Sequence, residues 1–295
     1  RELLLDCSKE VFIDRIAGGG ERALIFFGGV ATVHDTEVAR AGTNVDDEEA
    51  STARAETAAS GAIMKAPVTP PSNYRSDSHL HDWLTRRKII GLSGVDTRAL
   101  TAYIRENGMP NGVIAHDPSG NFDIDALTET ARGWNGLVGA DLAKNVATEE
   151  SFDWREARWV WPQGYEDKDG IKSVVVIDYG VKRNILRNLV TAGLKVTVVP
   201  PTTPAKDILA LKPDGVVLSN GPGDPAATGK YAIPVIQEII AADMPILGIC
   251  LGHQMLALAL GAKTVKMHQG HRGANHPVGY PPFAAISLSR SGRVV

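Results

Sequence analysis

The chain has 295 residues, room for about two domains of roughly 150 residues each. Hydrophobic residues make up 43% and charged residues 22%, and 31 Lys and Arg against 34 Asp and Glu leave a formal net charge of −3. That balance fits a globular chain with a buried core and excludes charge-driven binding to nucleic acid or an anionic membrane. The two cysteines, Cys7 and Cys250, exclude a disulfide framework and a Cys-rich zinc site, and they point to a reducing, cytoplasmic compartment.

Residues 1–42 alternate short apolar runs, Val11–Ile16 and Ala23–Phe27, with glycine clusters, and the runs read as strands. No Gly-Lys-Ser/Thr follows those glycines, so they read as turns and not as a phosphate cradle. Residues 43–66, rich in Ala, Glu and Asp, predict a helix broken by Pro67, Pro70 and Pro71. His79–Lys88 predicts a second helix with Leu80, Trp83 and Leu84 on one face, and Ile89–Leu92 a short strand. Asp96-Thr97 caps a helix to Asn107 that Gly108 closes, and Asn121–Thr130 gives a further helix. Residues 149–171 read as an acidic linker carrying Trp154, Trp159 and Trp161. The three rings could stack on a sugar or base, but pinning the linker to domain surfaces is the simpler role.

From Ile171 onward strands and helices alternate. Strands are expected at Ser173–Asp178, Leu194–Pro200, Gly215–Ser219 and Pro245–Ile249. Helices are expected at Val181–Ala192, from Thr203 as cap to Leu211, at Tyr231–Ala242 and at Leu251–Leu260. Continuous Val/Ile/Leu strands separated by helices predict a mostly parallel, doubly wound α/β sheet, preceded by a smaller mixed α/β domain. The apolar run Met244–Ala262 is about the length of a membrane span. Pro245, Gly248, Gly252, His253 and Gln254 interrupt it, so it reads as a buried strand turning into a helix. No signal peptide is visible, and the start at Arg1 suggests a fragment or processed product.

Ligands of such sheets bind beyond the carboxyl ends of the strands. One of those ends is Gly248-Ile249-Cys250-Leu251-Gly252, with the Gly-x-nucleophile-x-Gly spacing of a nucleophile elbow. A cysteine at a helix N-terminus is favoured as thiolate by the helix dipole, and the Leu251 N–H can hold an oxyanion. Taken alone, the elbow spacing leaves Cys250 better read as a small buried hydrophobe, the usual fate of a free cysteine. The other strand end, Ser219–Pro225, has Gly221 and Gly223, whose backbone can approach a substrate carbonyl. Pro222 has no N–H, which leaves Gly223 as the better second oxyanion donor. By itself this loop could be a plain turn. Together, a cysteine elbow and a glycine loop on one sheet predict acyl transfer.

Gly248–Gln254 (GICLGHQ) with Asn220–Pro225 (NGPGDP) resembles the class I glutamine amidotransferases. Asp178–Arg187 (DYGVKRNILR), Gly270–Val278 (GHRGANHPV), Ser93–Leu100 (SGVDTRAL) and Pro67–Tyr74 (PVTPPSNY) resemble the small, glutamine-hydrolysing chain of carbamoyl phosphate synthase. The resemblance covers roughly residues 43–278. It implies a small-chain N-terminal domain over residues 1–148, of which 1–42 match poorly. A linker over 149–171 and an incomplete amidotransferase domain over 172–295 would follow.

By position, the resemblance makes Cys250 the nucleophile and Gly223 and Leu251 the oxyanion donors, with Gly221, Gly223, Leu251 and Gln254 lining the glutamine pocket. His253 is tempting as a base, but on a helix starting at the elbow it should face away, as a structural histidine. Glutamine would be the substrate and the synthetase large chain the partner, serving arginine and pyrimidine biosynthesis as a ligase. No metal or cofactor is expected in this chain, ATP and Mg being used by the large chain. The family's His-Pro-Glu base motif does not occur: His276-Pro277-Val278 has no carboxylate after it, and nothing singles out His268, His271 or His276. The family's Asn-His-Gly-Phe segment is also missing. The chain therefore reads as C-terminally truncated relative to the family and slow or inactive in glutamine hydrolysis. The alternative function is a non-catalytic amidotransferase-like scaffold on the large chain.

Overall fold

The computed structural model describes residues 22–27, 61–268 and 287–288, apart from 75, 77, 88 and 118. The chain divides at Gly136 into two compact units. The run expected at Val11–Ile16 and the expected helix up to residue 60 lie outside the described residues.

In the first unit, β1 (Arg22–Phe27) pairs antiparallel with β4 (Gly112–Asp117), and β2 (Gly61–Ile63) pairs parallel with β3 (Ile90–Leu92). Two differences from the sequence reading arise here. Residues 61–63, expected at the end of a helix, form a strand because Ile90–Leu92 offers them a backbone partner. The β4 strand has no tidy alternation and was not anticipated, since its pairing with β1 is a long-range contact. Helix α1 (Leu80–Arg86) is capped by His79, whose ring accepts from the His81 N–H at 3.1 Å. Helix α2 (Thr97–Asn107) has the expected Asp96 cap, which accepts from Arg98 and Ala99 N–H groups, and ends at Gly108 with φ +82°. Helix α3 (Ile124–Gly133) starts three residues later than expected because Asp123, not Asn121, caps it by accepting from Ala126 N–H.

The second unit begins with the one-turn helix α4 (Ala143–Val146) and β5 (Phe152–Trp154). Parallel strands β6 (Lys172–Ile177), β7 (Leu194–Val199), β8 (Gly215–Leu218) and β9 (Ile246–Gly248) make the sheet centre. With β10 (Ser287–Leu288), the sheet order is β10-β9-β8-β6-β7-β5, and both outer strands run antiparallel. Four helices connect or flank these strands: α5 (Arg183–Thr191), α6 (Ala205–Ala210), α7 (Pro225–Ala241) and α8 (Leu251–Ala259).

Side chains along each strand alternate between two separate cores. Val175, Ile177, Val216 and Leu218 join Ile208, Ile236, Ile239, Met255 and Leu256 of α6, α7 and α8. Val174, Val176, Val196, Val198 and Val217 join Leu186 and Val190 of α5. With both faces buried, the strand centres are mostly Val, Ile and Leu, the signature of a parallel α/β sheet. Thr203 does not cap α6 as expected: its hydroxyl donates to the Pro200 carbonyl, and Pro204 occupies the cap position. Helix α7 starts well before the expected Tyr231 because Asp224 caps it with Pro225 in the first turn, where a missing N–H costs nothing.

Residues 149–171 are more than a linker. Phe152–Trp154 hydrogen-bonds along β7, with Phe152 and Trp154 packed on the α5-side core. The Arg187 guanidinium of α5 is 1% exposed, is ion-paired through Nε to Glu156 and lies 4.2 Å above the Tyr165 ring. Trp161, expected as a pin, is 67% exposed. Trp154 does pin the segment as expected, together with the ion pair and the β5 pairing. Removing Glu156 would leave a buried guanidinium without its counter-charge, so Glu156→Ala is expected to cost about 3 kcal/mol. A urea midpoint unchanged by that substitution would show that the pair contributes nothing.

Candidate active site

Strand β9 ends at Gly248, and α8 begins at Leu251, leaving two residues to reverse the chain. Cys250 sits at the turn with φ +53° and ψ −109°, a backbone that side-chain-bearing residues rarely adopt. Such strain persists only where neighbours enforce it, and here they do. A Cβ on Gly252 would lie 2.2 Å from the Leu218 carbonyl oxygen, and one on Gly248 would lie 2.8 Å from the His253 backbone. The Gly252 N–H donates to the Ser219 carbonyl at 3.0 Å and the Ile249 N–H to the Leu218 carbonyl at 2.9 Å. The elbow is thus stitched to the end of β8. Cys250 is a free, exposed thiol, so the reading of it as a buried hydrophobe does not hold.

The glycine loop after β8 is brought to the same place. A Cβ on Gly221 would meet the Tyr179 carbonyl oxygen at 2.0 Å and Leu251 Cδ2 at 2.9 Å, so the loop touches the residue that follows the cysteine. Gly223 has φ +97°. Its N–H and that of Leu251 donate to no acceptor among the described residues. Two uncommitted backbone donors on adjoining loops are what a developing oxyanion needs. Gln254 is exposed on the first turn of α8, the turn that begins at the elbow.

Several residues that sequence reasoning passed over hold this loop. Ser219 is fully buried, and its hydroxyl accepts from the Tyr179 N–H at 2.8 Å and donates to the Asn220 carbonyl at 2.8 Å. Asn220 accepts from the Lys182 N–H at 3.1 Å and donates to the Gly180 carbonyl at 3.0 Å. The buried Asp178 carboxylate accepts from the N–H groups of Gly180, Val181 and Thr148. The loops after β6 and β8 therefore form one hydrogen-bonded platform beside the elbow. An Asp at a strand end with a Gly two residues on was the available signal for Asp178. Ser219 gave none.

His253 does not supply a base in this arrangement. Its backbone packs on Gly248, and its Nδ1 is buried with no hydrogen-bond partner among the described residues. No hydrogen bond joins the Cys250 sulfur to an imidazole among the described residues. His271 and His276 lie outside them. Among the described residues no group of His, Cys, Asp and Glu gathers as a metal site, and no helix is long and apolar enough to cross a membrane.

Residues 175–289 match the family described as glutamine amidotransferase class-I, and residues 25–114 match the carbamoyl-phosphate synthase small chain, CPSase domain. The chain is 57% identical over 256 residues to the carbamoyl phosphate synthase small chain of Rhizobium meliloti (strain 1021), covering 86% of this chain and 64% of that one. It is 58% identical over 254 residues to that of Mesorhizobium japonicum, covering 86% and 64%. It is 60% identical over 242 residues to that of Caulobacter vibrioides, covering 82% and 62%. The chain thus spans somewhat less than two thirds of the length of these relatives. With one family match in each unit and this identity along most of its length, the chain is similar to carbamoyl phosphate synthase small chains across both units.

Proposed function

We propose that the protein to which this chain belongs releases ammonia from glutamine, for a synthetase large chain that makes carbamoyl phosphate. The observation that carries this reading is the exposed Cys250 on its strained elbow, which touches the glycine loop through Leu251 and Gly221, while the Leu251 and Gly223 N–H groups donate to no acceptor among the described residues. In that reaction the Cys250 thiolate attacks the side-chain amide carbon of glutamine, and the carbonyl oxygen becomes an oxyanion held by the Gly223 and Leu251 N–H groups. Collapse of the tetrahedral adduct expels ammonia, which needs a proton, and leaves a glutamyl thioester that water hydrolyses. Gly221 keeps the pocket wall thin where the substrate chain passes, and Gln254 offers an amide to its polar end. In this reading the domains divide as the resemblance implies, and the cofactors ATP and Mg belong to the large chain in the cytoplasm.

A chloromethyl ketone analogue of glutamine tests the pocket directly. Its ketone stands where the amide carbonyl would, and the thiolate displaces chloride. Labelling should fall on Cys250, slow in the presence of free glutamine, and vanish in Cys250→Ala. Labelling that glutamine leaves unaffected would overturn the reading. Retention of a carbamoyl phosphate synthase large chain by the immobilised protein tests the partner.

A further inference from the structure

We infer that Asp141 is a positioning residue for the oxyanion donor at Gly223, acting through a strap formed by residues 139–144. This rests on the reading of Gly223 as an oxyanion donor. The strap lies flush against the glycine loop: a Cβ on Gly223 would be 2.7 Å from the Ala140 carbonyl oxygen and 2.9 Å from the Leu142 nitrogen. One end is tied to the residue that follows Gly223. The Asp224 carboxylate accepts from the Gly139 N–H at 2.8 Å, and the Asp224 N–H donates to the Ala140 carbonyl at 2.9 Å.

The other end is tied to α7, the helix that Asp224 caps. Asp141 Oδ1 accepts from the hydroxyls of Thr228 at 3.0 Å and Tyr231 at 3.3 Å. Thr228 is fully buried. Burial, and then the Asp141 charge, hold the Tyr231 hydroxyl above the usual tyrosine range, so it stays a donor. Lys144 Nζ is 3.9 Å from the other Asp141 oxygen and 4.5 Å from the Tyr231 ring centre, on the more exposed side. That pair is solvent-screened and adds little.

A peptide N–H holds an oxyanion only while its plane is fixed, since the interaction weakens steeply with angle. Gly223 has a left-handed backbone and no side chain to anchor it. Its plane is set by what it rests on, and that is the strap. Asp141 is the strap's only side chain bonded to α7 among the described residues. It does not touch substrate in this account, and its effect passes through Ala140 and Leu142 to Gly223.

The test uses the full 295-residue chain and two reagents on Cys250. The glutamine chloromethyl ketone needs the oxyanion donors, whereas iodoacetamide needs only an exposed thiolate. In Asp141→Ala, labelling by the ketone should slow about tenfold, part of the ~10²–10³-fold that a whole oxyanion donor is worth, with the iodoacetamide rate within twofold of wild type. Asp141→Asn, whose carbonyl oxygen can still accept both hydroxyls, should restore ketone labelling. Tyr231→Phe, the milder lesion, should slow it about threefold. Equal ketone rates in wild type and Asp141→Ala, or parallel losses with both reagents, would overturn the inference.

Amide exchange at Gly139 separates this from the pocket reading. It should quicken about tenfold in Asp141→Ala and recover in Asp141→Asn, whether or not glutamine binds. If the wild-type chain takes iodoacetamide but not the ketone, the glutamine pocket fails while the strap is still judged by exchange. Unchanged Gly139 exchange overturns the strap itself.

Discussion

A polypeptide consisting of these 295 residues is expected to turn over glutamine ~10²–10⁴-fold more slowly than a relative that carries a positioned histidine base, the usual worth of general acid–base help. The elbow and the exposed thiol are in place, and on the proposed reading Gly223 and Leu251 supply the backbone donors, so substrate capture and Cys250 labelling should survive. No imidazole is hydrogen-bonded to the Cys250 thiol among the described residues, so proton transfer is the step expected to be slow. Steady-state ammonia release, compared with the rate of Cys250 labelling, checks this. Turnover at a normal rate that Cys250→Ala abolishes would mean that another group supplies the proton. An undetectable labelling rate would place the defect in the pocket.

The second large effect is steric. Gly252→Ala places a methyl carbon 2.2 Å from the Leu218 carbonyl oxygen, and Gly221→Ala places one 2.0 Å from the Tyr179 carbonyl oxygen. In both cases the obstacle is backbone at the end of a buried parallel strand, which cannot swing aside as a flexible side chain can. Each substitution is expected to cost about 3 kcal/mol, the upper end of ordinary overpacking. Each should also abolish ketone labelling of Cys250, because the elbow and glycine loop are forced apart. Gly261→Ala is the informative control: φ is +89° but nothing lies within 4 Å of the added carbon. It should cost about 1 kcal/mol from backbone strain alone and leave labelling intact. Urea midpoints for the three variants decide the matter, and similar losses at Gly252 and Gly261 would refute the steric account.

Much of this architecture could be read directly from the residues, and the reasons are local. The parallel strands of the second unit are rich in Val, Ile and Leu, and Gly193 closes α5 where a left-handed residue is needed. The Asp96 cap of α2 depends on a carboxylate reaching N–H groups two and three residues ahead, which sequence spacing expresses in full. The elbow is legible for the same reason. Its two glycines and its cysteine lie within five consecutive residues, and the turn is too tight for other side chains at the flanking positions.

Other features have their cause far along the chain. β2 became a strand, and β4 and β5 were missed, because each is made by a partner strand tens of residues away. Residues 149–171 looked like a linker until Glu156 met a buried Arg187 and β5 met β7. Composition alone established a globular chain with a free cysteine, and the nucleophile and its glycine loop were evident as separate motifs. Only the tertiary structure decided that Gly221 touches Leu251, that Ser219 and Asp178 bind the loops into one platform, and that the strap at 139–144 lies against Gly223. The physical reason is that chain-local geometry sets turns and caps. Which peptide groups end up facing one another depends on how the sheet brings its strand ends together.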